Sequence, residues 1–275
     1  MVKRSIASQI PGRLLVYLYA LFLMVPMFFI LVTSLKPGEE VYSNPLGLPH
    51  VYHFINFPEA FVKGNMGRYG LNSLIVSSCA VALALLVAVI VTFCIYKLFR
   101  RKIGQVFYSV IIGSMFVPAT GWVTMIVLFQ KLHLYNNLLG LILGSAFGGL
   151  AFNLFILLGF FRSIPRELEE AAVMDGCRDF QSLFFIIIPV VKSALVALGI
   201  FAFVGSWNGL LSPLLLLKNK DLFTIPLGLM TFKGTYTVTY NLMFAAVLMS
   251  GVPLVVVYIL FQNSFVEALT GSIKG

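Results

Sequence analysis

Residues 163–189 read SIPRELEEAAVMDGCRDFQSLFFIIIP. In a chain that is 60% hydrophobic and only 11% charged, this is the most charged segment, with five of the ten acidic residues: Glu167, Glu169, Glu170, Asp175 and Asp179. One long apolar run ends just before it and another begins inside it at Leu183. A polar insert between two such runs sits in water at one membrane face. Its pattern is that of ordered structure. Pro165 suits the first turn of a helix, where a missing N–H costs nothing. Glu167, Glu169 and Glu170 then lie near the positive end of the helix dipole. Ala171 and Ala172 favour helix and keep its surface slim. Gly176 is placed to end the helix in a left-handed turn. Asp179 can cap a second helix, which Pro189 interrupts or kinks. The segment predicts helix, glycine turn, helix on the membrane surface.

Outside this segment the chain is spanning material. It has 275 residues, a mean hydropathy of +0.98 and apolar runs at about 14–34, 72–96, 103–130, 137–161, 184–217 and 242–266. Each is long enough for a membrane helix, which needs about 20 apolar residues. No run alternates in polarity as a barrel strand would. The expectation is an all-α integral membrane protein with six transmembrane helices. The net charge of +9 does not signal nucleic acid, because the basic residues segregate by side in register with the runs. Twelve of the nineteen fall on one side, the tightest cluster being Lys97, Arg100, Arg101 and Lys102. The positive-inside rule puts that side, both termini and residues 163–189 in the cytoplasm. Expected divisions are 1–13 as cytoplasmic start, 14–266 as transmembrane domain and 267–275 as cytoplasmic tail. Lys3, Arg4 and Arg13 before an apolar run resemble a signal sequence, but the run is long and lacks a small-x-small cleavage site, so it reads as a retained first span.

The remaining features carry packing or candidate transport chemistry. Cys79, Cys94 and Cys177 have neither metal-ligand spacing nor a disulfide framework. Residues 35–70, rich in Pro, Gly, Asn and aromatics, predict an ordered external loop with a short helix near Phe57 to Val62. Pro118 in the third run predicts a kink. Gly140, Gly144 and Gly148 form a small-xxx-small ladder that reads as helix packing. The fifth run holds Ser206-Trp207-Asn208, the most polar patch inside any span. Discontinuous helices with exposed polar groups are where transporters place substrate contacts, which makes Trp207 and Asn208 candidates for the substrate pathway. An interfacial tryptophan beside a helix-bonded asparagine is the structural alternative.

Glu170-Ala171-Ala172, three residues, Gly176, nine residues, then Ile186-Ile187-Ile188-Pro189 resembles the EAA loop of binding-protein-dependent ABC importers. The chain departs from that pattern once, with Ile188 where leucine is usual. Trp207-Asn208 followed by Pro213 is similar to a motif of sugar permeases. The ending Gly271-Ser272-Ile273-Lys274-Gly275 is similar to the terminus of MalG-like carbohydrate permeases. The resemblance implies a type I ABC importer permease with a cytoplasmic coupling helix formed by Glu170, Ala171, Ala172, Asp175 and Gly176, closed at Pro189. It implies a homologous second permease subunit in a heterodimer, two ATP-binding subunits and an extracytoplasmic sugar-binding protein, in a prokaryotic cell membrane. It also implies that Gly271, Lys274 and Gly275 reach towards the ATPase.

What is missing points the same way. There is no GxxxxGK[ST] loop, so ATP is expected on partner subunits and no cofactor on this chain. No HExxH, CxxC or His cluster supports a zinc enzyme. No Asp or Glu lies inside a proposed span, whereas proton- or sodium-coupled carriers keep ionisable groups at the midplane. The alternatives are an importer permease for a peptide, polyamine or phosphate, an autonomous secondary carrier, or a membrane enzyme using the loop carboxylates.

Overall fold

The computed structural model describes residues 6–98, 102–116, 121–234 and 238–271. Among these, regular structure is helical apart from one antiparallel bridge between Lys233 and Val238. Three helices are long and apolar enough to cross a membrane: α1 (Ile6–Ser34), α4 (Met66–Leu98) and α15 (Tyr240–Gly271). Two further candidates are bent pairs. In one, α7 (Leu138–Gly148) and α8 (Leu150–Arg162) meet at 43°. In the other, segment Asp179–Val190 meets α12 (Lys192–Trp207) at 77°. The third expected span is covered by two shorter helices, α5 (Lys102–Met115) and α6 (Trp122–Lys131). The proline expected to kink it, Pro118, lies outside the described residues.

The chain divides into two compact units, residues 1–67 with 228–252 and residues 68–227 with 253–275. One division falls at Pro253, which α15 carries in its interior. In the first unit, the spanning part of α1 has none of its apolar window buried, as suits a helix whose side chains face lipid. Past Ser34 the chain forms α2 (Gly38–Ser43) and α3 (Asn56–Lys63), the latter where a short helix was expected. Buried amides and a buried cation hold this loop. Asn56 Nδ2 donates to the carbonyls of Ser34 and Lys36, both at 2.8 Å, and its Oδ1 accepts from Asn241 at 3.1 Å. Lys36 is fully buried, and its Nζ donates to the carbonyls of Asn44 and Pro45 at 2.6 and 3.2 Å. Each buried donor thus has a partner, without which its burial would cost several kcal/mol.

Glu40 completes the loop. Desolvation pushes its carboxyl up, but the His50 backbone N–H at 3.0 Å and the His50 ring at 2.7 Å outweigh that and hold it below the ordinary 4.5. A lowered folded-state pKa stabilises above the unfolded value, and that contribution is lost as pH falls through the folded value. Glu40→Gln is therefore expected to flatten the acid dependence of this loop. Hydrogen-exchange protection factors across residues 38–56 should fall as the pH drops below the ordinary carboxylate value of 4.5 in the native chain and change much less in the variant.

Apolar clusters pack the second unit, and two of them draw in its largest side chains. One joins Phe93 of α4, Leu157 and Phe161 of α8, Leu183, Ile187 and Leu198. The other joins Val76, Phe129, Leu141, Leu216 of α13 (Leu211–Leu216) and Leu227 of α14 (Ile225–Leu229). Polar ties close one end of the unit. Asn72 Nδ2 donates to the carbonyls of Asp221 and Phe223, and Ser73 Oγ accepts the Ile225 N–H at 2.8 Å. Arg68 pairs with Asp221 at 2.8 Å. Asn136, in a left-handed conformation with φ 55°, accepts the N–H groups of Lys218 and Asn219 through Oδ1.

The glycine ladder of α7 divides by position. A Cβ on Gly140 would collide with the Leu134 carbonyl, so that glycine serves close packing. Gly144 sits at ordinary contact distance from Phe129. Around Gly148 a Cβ would meet nothing within 4 Å.

Candidate functional site: a surface helix with a glycine turn, and an uncharged cavity

Residues 163–189 fold as expected in outline. Helix α9 (Arg166–Met174) begins directly after Pro165, so the proline stands at the cap rather than inside the first turn. The Cys177 N–H bonds to the Ala172 carbonyl at 2.9 Å, and Gly176 has φ +76°. This is the six-residue C-terminal closure that requires a left-handed residue, and glycine adopts it at no steric cost. The next helix, α10 (Asp179–Ser182), is capped at Arg178, whose N–H is accepted by Gln181 Oε1 at 2.8 Å. Asp179 was expected to be the cap. It occupies the first helical position instead, and its carboxylate is engaged elsewhere. Beyond it Leu183–Ile187 winds as a π-turn, with the Ile188 N–H bonded to the Leu183 carbonyl. Pro189 follows in α11 (Ile188–Val190), supplies no N–H, and the chain bends by 77° past it.

The two alanines split by face. Ala172 is 3% exposed and packs inwards, whereas Ala171 is exposed together with Glu170, Asp175 and Gly176. Leu168 and Met174 add exposed apolar side chains, Met174 at 86%. The outward surface is thus acidic, small in the middle and apolar at its edges. Behind it Lys97, near the end of α4, lies between two carboxylates: Glu169 Oε2 at 3.7 Å and Asp179 Oδ1 at 3.3 Å. Its ammonium also sits 5.5 Å from the centre of the Phe93 ring. Glu169 Oε1 is buried without a hydrogen-bond partner, so Lys97 is the charge that compensates this carboxylate. Lys97 and Glu169 were not singled out in the sequence as a pair, because their distance apart in the chain hides it.

The same unit contains a cavity of about 640 Å³. Trp207 and Asn208 do not line it. Trp207 is 3% exposed and stacks on Phe203 with ring centres 5.6 Å apart, and Asn208 is exposed. Their neighbours Gly205, Ser206 and Gly209 do line it, with Trp122, Ser145, Asn153, Ser212 and Thr224. Trp122 was passed over in the sequence, its only signal being an aromatic inside an apolar run. At the far terminus, Gly271 is the last residue of α15, and Lys274 and Gly275 lie outside the described residues.

Residues 98–266 match the family described as binding-protein-dependent transport system inner membrane component. This chain belongs to that family. A diacetylchitobiose uptake system permease protein of Streptomyces coelicolor is 33% identical over 254 residues, which cover 90% of this permease and 83% of that protein. An arabinooligosaccharides transport system permease protein of Bacillus subtilis is 31% identical over 264 residues, covering 93% and 92%. In fold, this permease resembles a chain of a bacterial ABC transporter involved in the import of the acidic polysaccharide alginate. The TM-score is 0.83, with 96% of this chain and 100% of that one covered at 23% identity. This permease is thus a multi-pass membrane component of a transport system, not an enzyme.

Proposed function

We propose that this permease forms half of the translocation pathway of an ABC importer for a sugar or oligosaccharide. It couples to an ATPase through α9 and the Gly176 turn. The observation that carries the reading is the exposed face Glu170-Ala171-Asp175-Gly176, backed by the Lys97 clamp, in a chain of the binding-protein-dependent family. Small side chains at its centre let a partner groove approach closely. The Gly176 turn fixes the angle at which the chain returns to the membrane. ATP, held on two partner subunits, closes their dimer and moves α9, and the spans attached to it follow as a rigid body. A second permease subunit completes the pathway, and an extracytoplasmic binding protein delivers the sugar. Both termini and the loop at 163–189 lie in the cytoplasm on the charge pattern. In this reading 1–13 and 267–275 are the cytoplasmic ends of the transmembrane domain, with the tail residues Gly271, Lys274 and Gly275 directed at the ATPase.

Sugar is favoured over a peptide or polyamine because relatives transport oligosaccharides and because no charged residue lines the cavity among the described residues. The loop carboxylates Glu167, Glu170 and Asp175 are exposed and stand apart from the cavity lining, which argues against a membrane enzyme. The test is purification of the chain from its native membrane. Recovery with a second permease and an ATPase whose turnover rises on addition of a sugar-loaded binding protein is the expected result. A chain recovered alone and active in transport refutes the proposal.

A further inference from the structure

The polar residues around the cavity are disposed in a way that packing leaves unexplained. Thr224 is 5% exposed, and its Oγ1 has no hydrogen-bond partner. The hydroxyl of Ser206 is likewise buried and unpartnered. Both residues line the cavity, together with Ser145, Ser212 and the amide of Asn153. A buried hydroxyl without a partner costs free energy, and a ligand or an ordered water at this wall would supply the missing bonds. Gly148, Gly149 and Gly205 also line the space, and a Cβ on any of them would meet nothing within 4 Å. Packing within the chain does not demand glycine at these places; the missing side chains widen the cavity. Its volume of about 640 Å³ lies within the range of small-molecule sites, roughly 300–1,000 Å³. Among the described residues three aromatic side chains border it, Phe152, Phe201 and Trp122, and of these Trp122, at the start of α6, has the largest ring face. No charged side chain borders it among the described residues.

We infer that this chain carries its own saccharide subsite, in which the Trp122 indole stacks on the C–H face of a neutral sugar ring while Ser206, Thr224 and Asn153 bond its hydroxyls. The inference rests on the sugar reading above and narrows it. A ring face and several uncharged donors and acceptors suit a polyol. An anionic sugar would lose hydration here without gaining a cation, so the subsite selects uncharged units. It also moves the aromatic contact from Trp207, which is already stacked on Phe203, to Trp122.

The experiment uses the complete importer in proteoliposomes, with its partner permease, ATPase and binding protein. Uptake of radiolabelled diacetylchitobiose and arabinotriose is measured for the native chain, Trp122→Phe, Trp122→Leu and the double variant Ser206→Ala/Thr224→Val. Loss of the ring face in Trp122→Leu should lower uptake about tenfold, as should loss of both hydroxyls, while Trp122→Phe keeps most of it. Assembly with the partner permease and the ATPase should persist in all three, because the coupling surface is untouched. Sugar uptake by the native complex that Trp122→Leu leaves unchanged overturns the subsite and spares the sugar reading. Equal loss in Trp122→Phe and Trp122→Leu makes Trp122 a packing residue and also overturns it. A native complex that takes up spermidine but neither sugar overturns both.

Discussion

Gly176→Val is expected to cut ATP-driven uptake by about tenfold or more while Gly176→Asn retains most of it. The difference lies in the backbone. Gly176 has φ +76°, and a Cβ there would meet no neighbour within 4 Å, so crowding is not the obstacle. The obstacle is the left-handed conformation, which costs an L-residue roughly 1–2 kcal/mol, more if β-branched and less for asparagine. Valine would drive the turn towards ordinary helical or extended angles. The Cys177 N–H would then leave the Ala172 carbonyl, and the chain from Arg178 onward would leave α9 in another direction. Glu170, Ala171 and Asp175 would keep their identities but lose their angle to the spans, so binding-protein-stimulated ATPase activity should fall together with uptake. If the valine variant couples normally, the turn is not what transmits the motion. The asparagine variant separates this backbone effect from any loss of a small surface.

The Gly176 turn could be read from sequence because everything that makes it is local: a helix-favouring run, an acidic first turn and a glycine at the right distance. The same holds for the break near Pro189, where a missing N–H acts on its own helix. Ser206-Trp207-Asn208 shows where local reading stops. Successive residues on a helix point about 100° apart, so a polar patch seen in sequence cannot all face one cavity. The structure sends Ser206 to the cavity and Trp207 against Phe203, a choice made by packing. The glycine ladder is a second case. Gly140 answers to the Leu134 carbonyl and Gly148 to open space, although both fit one periodic pattern. In the first unit, nothing local in the sequence marks Lys36 as buried, and the carbonyls of Asn44 and Pro45 converging on it allow its burial. Membrane composition fixed the class of fold early because lipid permits few alternatives, whereas the break at Gly149 falls inside a run that reads as one continuous span.

Lys97→Met is expected to uncouple the importer even though Lys97 belongs to α4 and not to the loop. Its ammonium bridges Glu169 of α9 and Asp179 of α10, so one side chain ties both helices of the loop to the end of a span. Methionine preserves most of the stem packing on Phe93 and removes only the charge. Glu169 would then keep a largely buried carboxylate, with Oε1 already unpartnered, facing no cation. Breaking a fully buried pair in this way costs roughly 3–5 kcal/mol. Here the ammonium is one-third exposed and Asp179 is mostly exposed, so solvent screening lowers the penalty to about 1–2 kcal/mol. That suffices to shift α9 between clamped and displaced positions, and uptake should fall about five- to tenfold while basal ATPase activity is unchanged. The decisive variant is Lys97→Met combined with Glu169→Gln. Removing the stranded charge should restore a substantial part of coupled uptake if the defect is electrostatic, giving a non-additive cycle. Additive losses in the double variant would mean that Lys97 acts by itself, for example on lipid headgroups, and that the loop is held in place by the Leu183 and Ile187 packing against Phe93 and Phe161.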